Sequence, residues 1–263
     1  MQNQEPAAAG TGIGRDRAHW EQEAANWVTW TRKPGHDPYW HYSPAFFQEL
    51  VPPPGRATLE IGCGEGRVVR DLTARGHRTT GVDGSSNLIA AAREADPVGT
   101  YLRANATALP FGDAAFDLVV IYNALMDFDD LPGAVVEAAR VLEPGGHLCV
   151  SVTHPVFNAG GFDGDSADAP FVIEGSYLEN RRRFEAVVEE DGVQMRFAGW
   201  ADSLEAYTRP LEAVGLLIER LREPRVPASY GRRTPSGEAF RWDRIPMFLW
   251  FRALKPRLTS ETS

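Results

Sequence analysis

Glu60, Gly62, Gly64 and Gly66 stand together in Leu59-Glu60-Ile61-Gly62-Cys63-Gly64-Glu65-Gly66, and Asp83 stands in Gly81-Val82-Asp83-Gly84-Ser85. Alternating glycines remove Cβ atoms where a backbone and a ligand must come close, and some can adopt dihedrals closed to other residues. A helix beginning near Gly66 turns free N–H groups back toward that turn. The same geometry could hold a pyrophosphate. Glu60 opposes that reading, because a carboxylate just before the turn would repel phosphate. It suits a ligand carrying an ammonium group, met directly or through water. Asp83 ends an apolar segment, where its carboxylate can accept from both hydroxyls of a ribose. Its alternative role is to cap the following helix, which Ser85 or Ser86 could do without it. The chemistry indicated is the binding of a nucleoside with a cationic group.

These residues need a scaffold of strands ending at one edge, and the chain supplies its pattern. Ala57–Ile61 reads as a strand, Gly66–Arg75 as a helix closed by Gly76, Arg78–Val82 as a strand and Ser86–Glu94 as a helix. Thr100–Ala104 is a short strand. Phe116–Ile121 is a continuous apolar run of the kind buried on both faces of a sheet. Gly133–Val141 is a helix, and His147–Val152 a fifth strand. The alternation then fails between Pro155 and Trp200. There Phe184–Val188 and Gln194–Phe197 flank Glu190-Asp191-Gly192, a tight-turn signal for a hairpin. It resumes with a helix at Ser203–Ala213, a strand at Leu216–Leu221, a polar loop at Pro224–Ala239 and a last strand at Met247–Phe251. Ahead of the core, His19–Trp30 has apolar residues at helical spacing, with Trp20, Ala24, Trp27 and Val28 on one face. Tyr39–Leu50 reads as a second helix entered near Ser43-Pro44. The organisation expected is a disordered tail at 1–14, a helical cap at 15–54, a cofactor core at 55–154, a lid insertion at 155–200 and completion of the core sheet at 201–263.

The chain has 263 residues and a net charge of -9, with the positive side almost entirely arginine. No basic run tracks a phosphate backbone, so nucleic acid is not an expected partner. Cys63 and Cys149 sit at expected buried strand ends, as reduced thiols would. No signal-like apolar core occurs in Met1–Gly14, and no stretch is long enough to span a bilayer, so no membrane association and a cytoplasmic location are expected. No Cys/His/Asp spacing argues for a metal.

The chain resembles the class I S-adenosylmethionine-dependent methyltransferases, in particular the group related to ubiquinone/menaquinone C-methyltransferases with a type 11 methyltransferase domain. The likeness is carried by the two segments above, by Ala104-Asn105-Ala106-Thr107-Ala108-Leu109-Pro110-Phe111 followed by Phe116-Asp117-Leu118-Val119, and by Arg140-Val141-Leu142-Glu143-Pro144-Gly145-Gly146. It implies an α/β, Rossmann-like sheet, mostly parallel with an antiparallel last strand, and S-adenosyl-L-methionine as cofactor. It also implies roles. Gly62, Cys63, Gly64 and Gly66 would line the methionyl and ribose part, with Glu60 nearby. Asp83 would take the ribose diol, with Gly84 and Leu88 beside the adenine, and Ser85 is counted among the cofactor-binding residues. Asn105 and Ala106 would meet the far adenine edge, where many relatives carry aspartate in place of Asn105. Tyr122, with Asn123 and Ala124, would offer backbone oxygen near the methionyl ammonium.

The acceptor of the methyl group should then sit where the cap, Asn123–Asp130, His154–Phe157 and the insertion converge. Trp27, Trp30, Tyr39, Trp40, Tyr42, Phe157, Tyr177 and Trp200 are candidates for its walls, since aromatic faces bind planar molecules and favour a sulfonium. His154 is the first candidate for a general base, followed by His41 and Tyr39, with His36 ranked lower. Asp127, Asp129 and Asp130 could orient a cationic acceptor. The expected function is methyl transfer to a small, aromatic or heteroaromatic metabolite. A protein or RNA methyltransferase, or an inert cofactor-binding regulator, is the alternative. A homodimer through the cap or insertion is a further expectation.

Overall fold

A computed structural model describes residues 15–227 and 241–257. The tail expected at Met1–Gly14 and most of the loop expected at Pro224–Ala239 lie outside the described residues. The frame is a seven-stranded sheet. Its strands are β1 (Thr58–Ile61), β2 (Thr79–Asp83), β3 (Thr100–Arg103), β4 (Phe116–Tyr122), β5 (Leu142–Thr153), β10 (Leu217–Arg222) and β11 (Phe248–Leu254), in the order β10-β11-β5-β4-β1-β2-β3. β1 to β5 pair in parallel, and β11 runs antiparallel between β5 and β10. The Rossmann-like sheet with an antiparallel last strand is therefore the observed one.

Alternation along β4 divides the core. Val119 and Ile121 face α5 (Leu131–Val141) and α6 (Leu204–Ala213), through Leu131, Val135, Ala138, Tyr207 and Leu211. Leu118, Val120 and Tyr122 face the other layer. That layer contains α3 (Arg67–Ala74) through Val68 and Leu72, and α2 (Tyr39–Glu49) through Tyr42 and Phe46. α2 is thus part of the sheet's covering as well as part of the N-terminal extension. It begins at Tyr39, earlier than the Ser43-Pro44 entry expected from capping chemistry, and carries Pro44 inside. Burial of Tyr39, Tyr42, Ser43, Phe46 and Phe47 outweighs the backbone bond that proline forfeits.

The remaining helices obey their local signals. Ser85 caps α4 (Ser86–Ala95), its Oγ accepting from Leu88 N. Asp130 caps α5, accepting from Gly133 N. The long N-terminal helix, α1 (Arg15–Arg32), exceeds the expected His19–Trp30 at both ends.

After β5 the chain forms two small hairpins, β6 (Gly160–Phe162) with β7 (Phe171–Ile173), and β8 (Arg182–Glu190) with β9 (Val193–Ala201). The second closes through Asp191 and Gly192, both at positive φ (51° and 74°), which is the tight turn that Asp-Gly favours. Its strands run several residues beyond those expected.

Candidate functional site

Ligand sites in such sheets lie outside the carboxyl ends of the strands. A cavity of about 560 Å³ occupies that place. Its floor is the ends of β1, β4 and β5, with Glu60, Gly62, Cys63, Gly64, Tyr122, Asn123 and Thr153. Its roof is α1 and the β8–β9 hairpin, with Trp20, Trp27, Trp30, Phe184, Val188 and Phe197. Phe197 meets the Trp27 and Trp30 rings edge-on at 6.3 and 5.8 Å, so the hairpin lies on α1.

The glycine turn is built for close approach. Gly62 has φ of 75°, and a Cβ there would lie 2.4 Å from the Ala124 Cβ. Gly64, with φ of 54°, has the Trp27 indole Nε1 over it, 3.4 Å from where a Cβ would stand. Asp83 fixes the turn from below: Oδ2 accepts from Gly64 N at 2.9 Å, and Oδ1 accepts from Ser85 N at 2.8 Å. Burial raises the Asp83 carboxyl pKa above its ordinary value, although these N–H bonds oppose the shift.

Glu60 is buried, and its Oε2 has no hydrogen-bond partner among the described residues. Burial pushes its carboxyl far above the usual range, against the pull of Arg67. A buried acid with an unmatched oxygen at a cavity wall is the feature expected where a cationic group or water is to be held. The residues present therefore fit a ligand with an ammonium near Glu60 and a compact part against Gly62 and Gly64. The Tyr122 hydroxyl is likewise buried without a partner.

A second charged pair joins cap to core. Arg67 Nη1 lies 2.7 Å from Asp37 Oδ2, with both side chains nearly sealed. The guanidinium stacks over the Tyr39 ring at 4.2 Å and the Trp27 ring at 5.2 Å. Glu65 is held by Arg32 and Arg70.

Of the cofactor residues expected from sequence, Glu60, Gly62, Cys63, Gly64, Leu88 and Tyr122 line the cavity. Gly66 caps α3 in the left-handed region. Asp83 and Ser85 stand behind the turn, and Gly84 packs against Arg17. Asn105 is exposed, its Oδ1 accepting from Thr107 N, with Ala106 beside it. Neither lines the cavity.

Of the expected bases, His36 lines the cavity, and the three ranked above it do not. His154 is buried outside the lining, with Nε2 3.0 Å from Glu223 Oε1 and Nδ1 accepting from Val156 N. The physical reason is that the chain turns away after β5 and the ring follows it toward the β10 end. Tyr39 donates to Asp71 Oδ2 at 2.5 Å, and burial drives its phenol pKa well up. His41 is half-buried and also lies outside the lining. Among the expected aromatics, Trp27, Trp30 and Phe157 reach the cavity. Tyr42 packs beneath the sheet, Trp40 is exposed, and Tyr177 and Trp200 stand outside. Asp127 lines the cavity, whereas Asp129 and Asp130 do not.

Sequence reasoning missed Trp20, Asp37, Arg67, Phe184 and Phe197. Trp20 and Trp27, seven apart on one helix, carried a readable signal; the Asp37–Arg67 pairing carried none. Among the described residues, one group has side-chain ligand atoms within 4.8 Å of one another: His36, Glu190 and Asp191. No helix of the described residues is long and apolar enough to cross a membrane.

Residues 59–150 match a family described as a methyltransferase domain. A malonyl-[acyl-carrier protein] O-methyltransferase of Erwinia pyrifoliae is 38% identical over 100 residues, covering 37% of this chain and 38% of that protein. A 27-O-demethylrifamycin SV methyltransferase of Amycolatopsis mediterranei is 29% identical over 164 residues, covering 59% of each. The chain thus spans between 38% and 59% of the length of these curated relatives. A solved S-adenosylmethionine-dependent methyltransferase from Mesorhizobium loti superposes with a TM-score of 0.66 at 25% identity, covering 81% of this chain and 97% of that one. The fold is that of the class I S-adenosylmethionine-dependent methyltransferases, and S-adenosyl-L-methionine is the cofactor it implies.

Proposed function

We propose that this chain is an S-adenosylmethionine-dependent methyltransferase acting on a small, planar and partly apolar acceptor. The observation that carries the reading is the continuity of the cavity. One end is the glycine turn with the unmatched Glu60 oxygen, and the other is a chamber of Trp30, Phe157, Phe184, Phe197 and Phe248. Its volume of about 560 Å³ is in the range of small-molecule sites. The bound cofactor would supply an electrophilic methyl carbon on sulfur, an excellent leaving group.

Glu60, Gly62, Gly64, Leu88 and Tyr122 would hold that cofactor, with Asp83 setting the turn and offering its carboxylate to the ribose. Asn123 and Cys63 would frame the methionyl part. The roof residues Trp20, Trp27 and Phe197 exclude water and narrow the approach, so that alignment of nucleophile, methyl carbon and sulfur does most of the work. Aromatic faces beside a sulfonium add electrostatic support. The two curated relatives act, by name, on different molecules, so the acceptor class is read from this cavity alone.

The test is calorimetric titration with S-adenosylmethionine and S-adenosylhomocysteine. It is followed by transfer of labelled methyl into small-molecule, protein and RNA fractions of a cell extract. Saturable binding with label in the small-molecule fraction is expected. Absence of binding to both compounds ends the reading. Label in protein or RNA moves the acceptor to another class, and binding without transfer leaves a regulatory protein.

A further inference from the structure

One imidazole stands in the cavity wall without a task. His36 lies in the turn between α1 and α2 and lines the cavity. Its side chain is 1% exposed, and the Trp30 ring meets it edge-on at 4.8 Å. Nε2 lies 3.2 Å from Asp191 Oδ2. Nδ1 is buried and meets no hydrogen-bond partner among the described residues.

Asp191 belongs to the lid. It is the first residue of the turn that closes the β8–β9 hairpin, and its side chain is largely exposed. Lys33 Nζ holds the same residue, 2.9 Å from its backbone oxygen and 3.7 Å from Oδ2. Seating the hairpin tip on the cap therefore brings a carboxylate to a buried imidazole. With Nε2 protonated, that carboxylate fixes the tautomer, leaves a lone pair on Nδ1, and stabilises the imidazolium formed when Nδ1 takes a proton.

We propose that His36 is the proton acceptor of the methyl transfer and that Asp191 positions it when the lid hairpin is down. The inference rests on the proposed function. It deepens it by naming the acceptor class: a neutral molecule whose nucleophilic atom carries a proton, such as a phenol or hydroquinone. The acceptor's O–H bond breaks and its proton passes to His36. The oxygen electron pair forms the bond to the methyl carbon. The carbon–sulfur pair stays with sulfur, giving S-adenosylhomocysteine. The proton leaves His36 for solvent before the next turnover.

The charged neighbours agree with a neutral acceptor. Asp37 on the same turn is held by Arg67 of α3, and Glu65 by Arg32 and Arg70. Asp127 and Glu190 add acidic groups to the lining. A carboxylate on the acceptor would meet more repulsion than attraction there. His36, Glu190 and Asp191 could also gather around a divalent cation, but the Lys33 ammonium already stands at Asp191.

The experiment compares the full-length protein with His36→Ala and Asp191→Asn. S-adenosylhomocysteine titration comes first, and each variant is expected to bind within about 3-fold of the parent. Labelled-methyl transfer is then followed over pH, with catechols, naphthols and the active small-molecule fraction of an extract as acceptors. His36→Ala is expected to lose about 100-fold or more in turnover, to lose the acidic limb of the profile, and to regain activity with added imidazole. Asp191→Asn removes the charge that favours the imidazolium. Its acidic limb is expected at lower pH, with turnover reduced about 10-fold. A parent that binds neither cofactor form, or transfers nothing, overturns the proposed function and this inference with it. A parent that transfers while His36→Ala keeps its rate and pH profile overturns the inference alone. So does inactivation by EDTA with recovery on magnesium, which would place a cation rather than a proton at His36.

Discussion

The Glu21 carboxylate accepts a hydrogen bond from Ser85 Oγ at 2.6 Å across 64 residues of sequence. Ser86 Oγ donates to the same carboxylate at 2.6 Å, and Asn87 Nδ2 donates to the Glu21 backbone oxygen at 3.1 Å. An acid on α1 thus sits at the N-terminus of α4, where the helix dipole favours negative charge. The contact ties the roof of the cavity to the strand-end corner that carries Asp83. The serine hydroxyls, first among the causes, lower the Glu21 pKa from its ordinary value.

Glu21→Ala should loosen that tie. The expected loss is about 1 kcal/mol of global stability, with a larger fall in hydrogen-exchange protection along α1. Dissociation of S-adenosylhomocysteine should become faster as the roof opens more often. The lowered pKa carries a sign. Its contribution is complete above the ordinary carboxylate range and is lost as pH falls through the folded-state value. Unchanged α1 protection in the variant would show that the tie is not what holds the roof.

Asp83→Ala removes the acceptor of Gly64 N and Ser85 N at one stroke. Under the proposed function it also removes the partner of the ribose. Binding of S-adenosylhomocysteine should weaken by about 1–3 kcal/mol, roughly 5- to 150-fold. Asp83→Asn, which keeps one acceptor oxygen, should fall between. A folded Ala variant with the parent's titration curve would take Asp83 out of the site.

What the sequence made readable is chemistry that lies close along the chain. The glycine turn and the Asp191-Gly192 turn fold as their own residues dictate, whereas Asp83 ends β2 as expected but stands behind the turn, accepting from Gly64 N and Ser85 N, outside the cavity lining. Contacts between distant segments carried no such signal. The apolar spacing of α2 gave a helix but not its seat against Phe248 and Trp250. His36 ranked below His154 because it lies in a turn while His154 follows the fifth strand, and neither position shows which ring the hairpin meets. The ring of His154 goes to Glu223, 69 residues on, and that of His36 to Asp191, 155 residues on.

The Asp37–Arg67 pair is a case where deleting one partner should cost more than deleting both. Arg67→Met leaves the Asp37 carboxylate in a nearly sealed site with only the Tyr39 backbone N–H for company among the described residues. A loss of about 3–5 kcal/mol is expected. Combining it with Asp37→Asn should recover part of that loss, because no uncompensated charge remains. A double-mutant cycle by urea unfolding measures the coupling. Simple additivity of the two changes would show that the pair is worth little to the fold.

Four histidines contribute a slope to the stability profile below neutrality. His19, His77, His147 and His154 each have the pKa lowered from the ordinary 6.5, with burial the largest cause in every case. Burial disfavours the charged ring, so the folded chain holds these groups neutral to lower pH than the unfolded chain does. The unfolded state then binds more protons below 6.5. By linkage, stability is complete above that pH and declines as pH falls through the folded-state values. His77 is the clearest single case, since its Nδ1 meets Thr58 Oγ1 at 3.1 Å under the first strand. These rings therefore pull the melting temperature of the ligand-free protein down between pH 7.5 and pH 5, while Glu60 and Asp83, whose carboxyl pKa values burial raises, push it the other way. His77→Gln should flatten part of that slope while lowering the plateau. A slope that His77→Gln leaves unchanged would mean that this ring takes up its proton in the fold as easily as outside it.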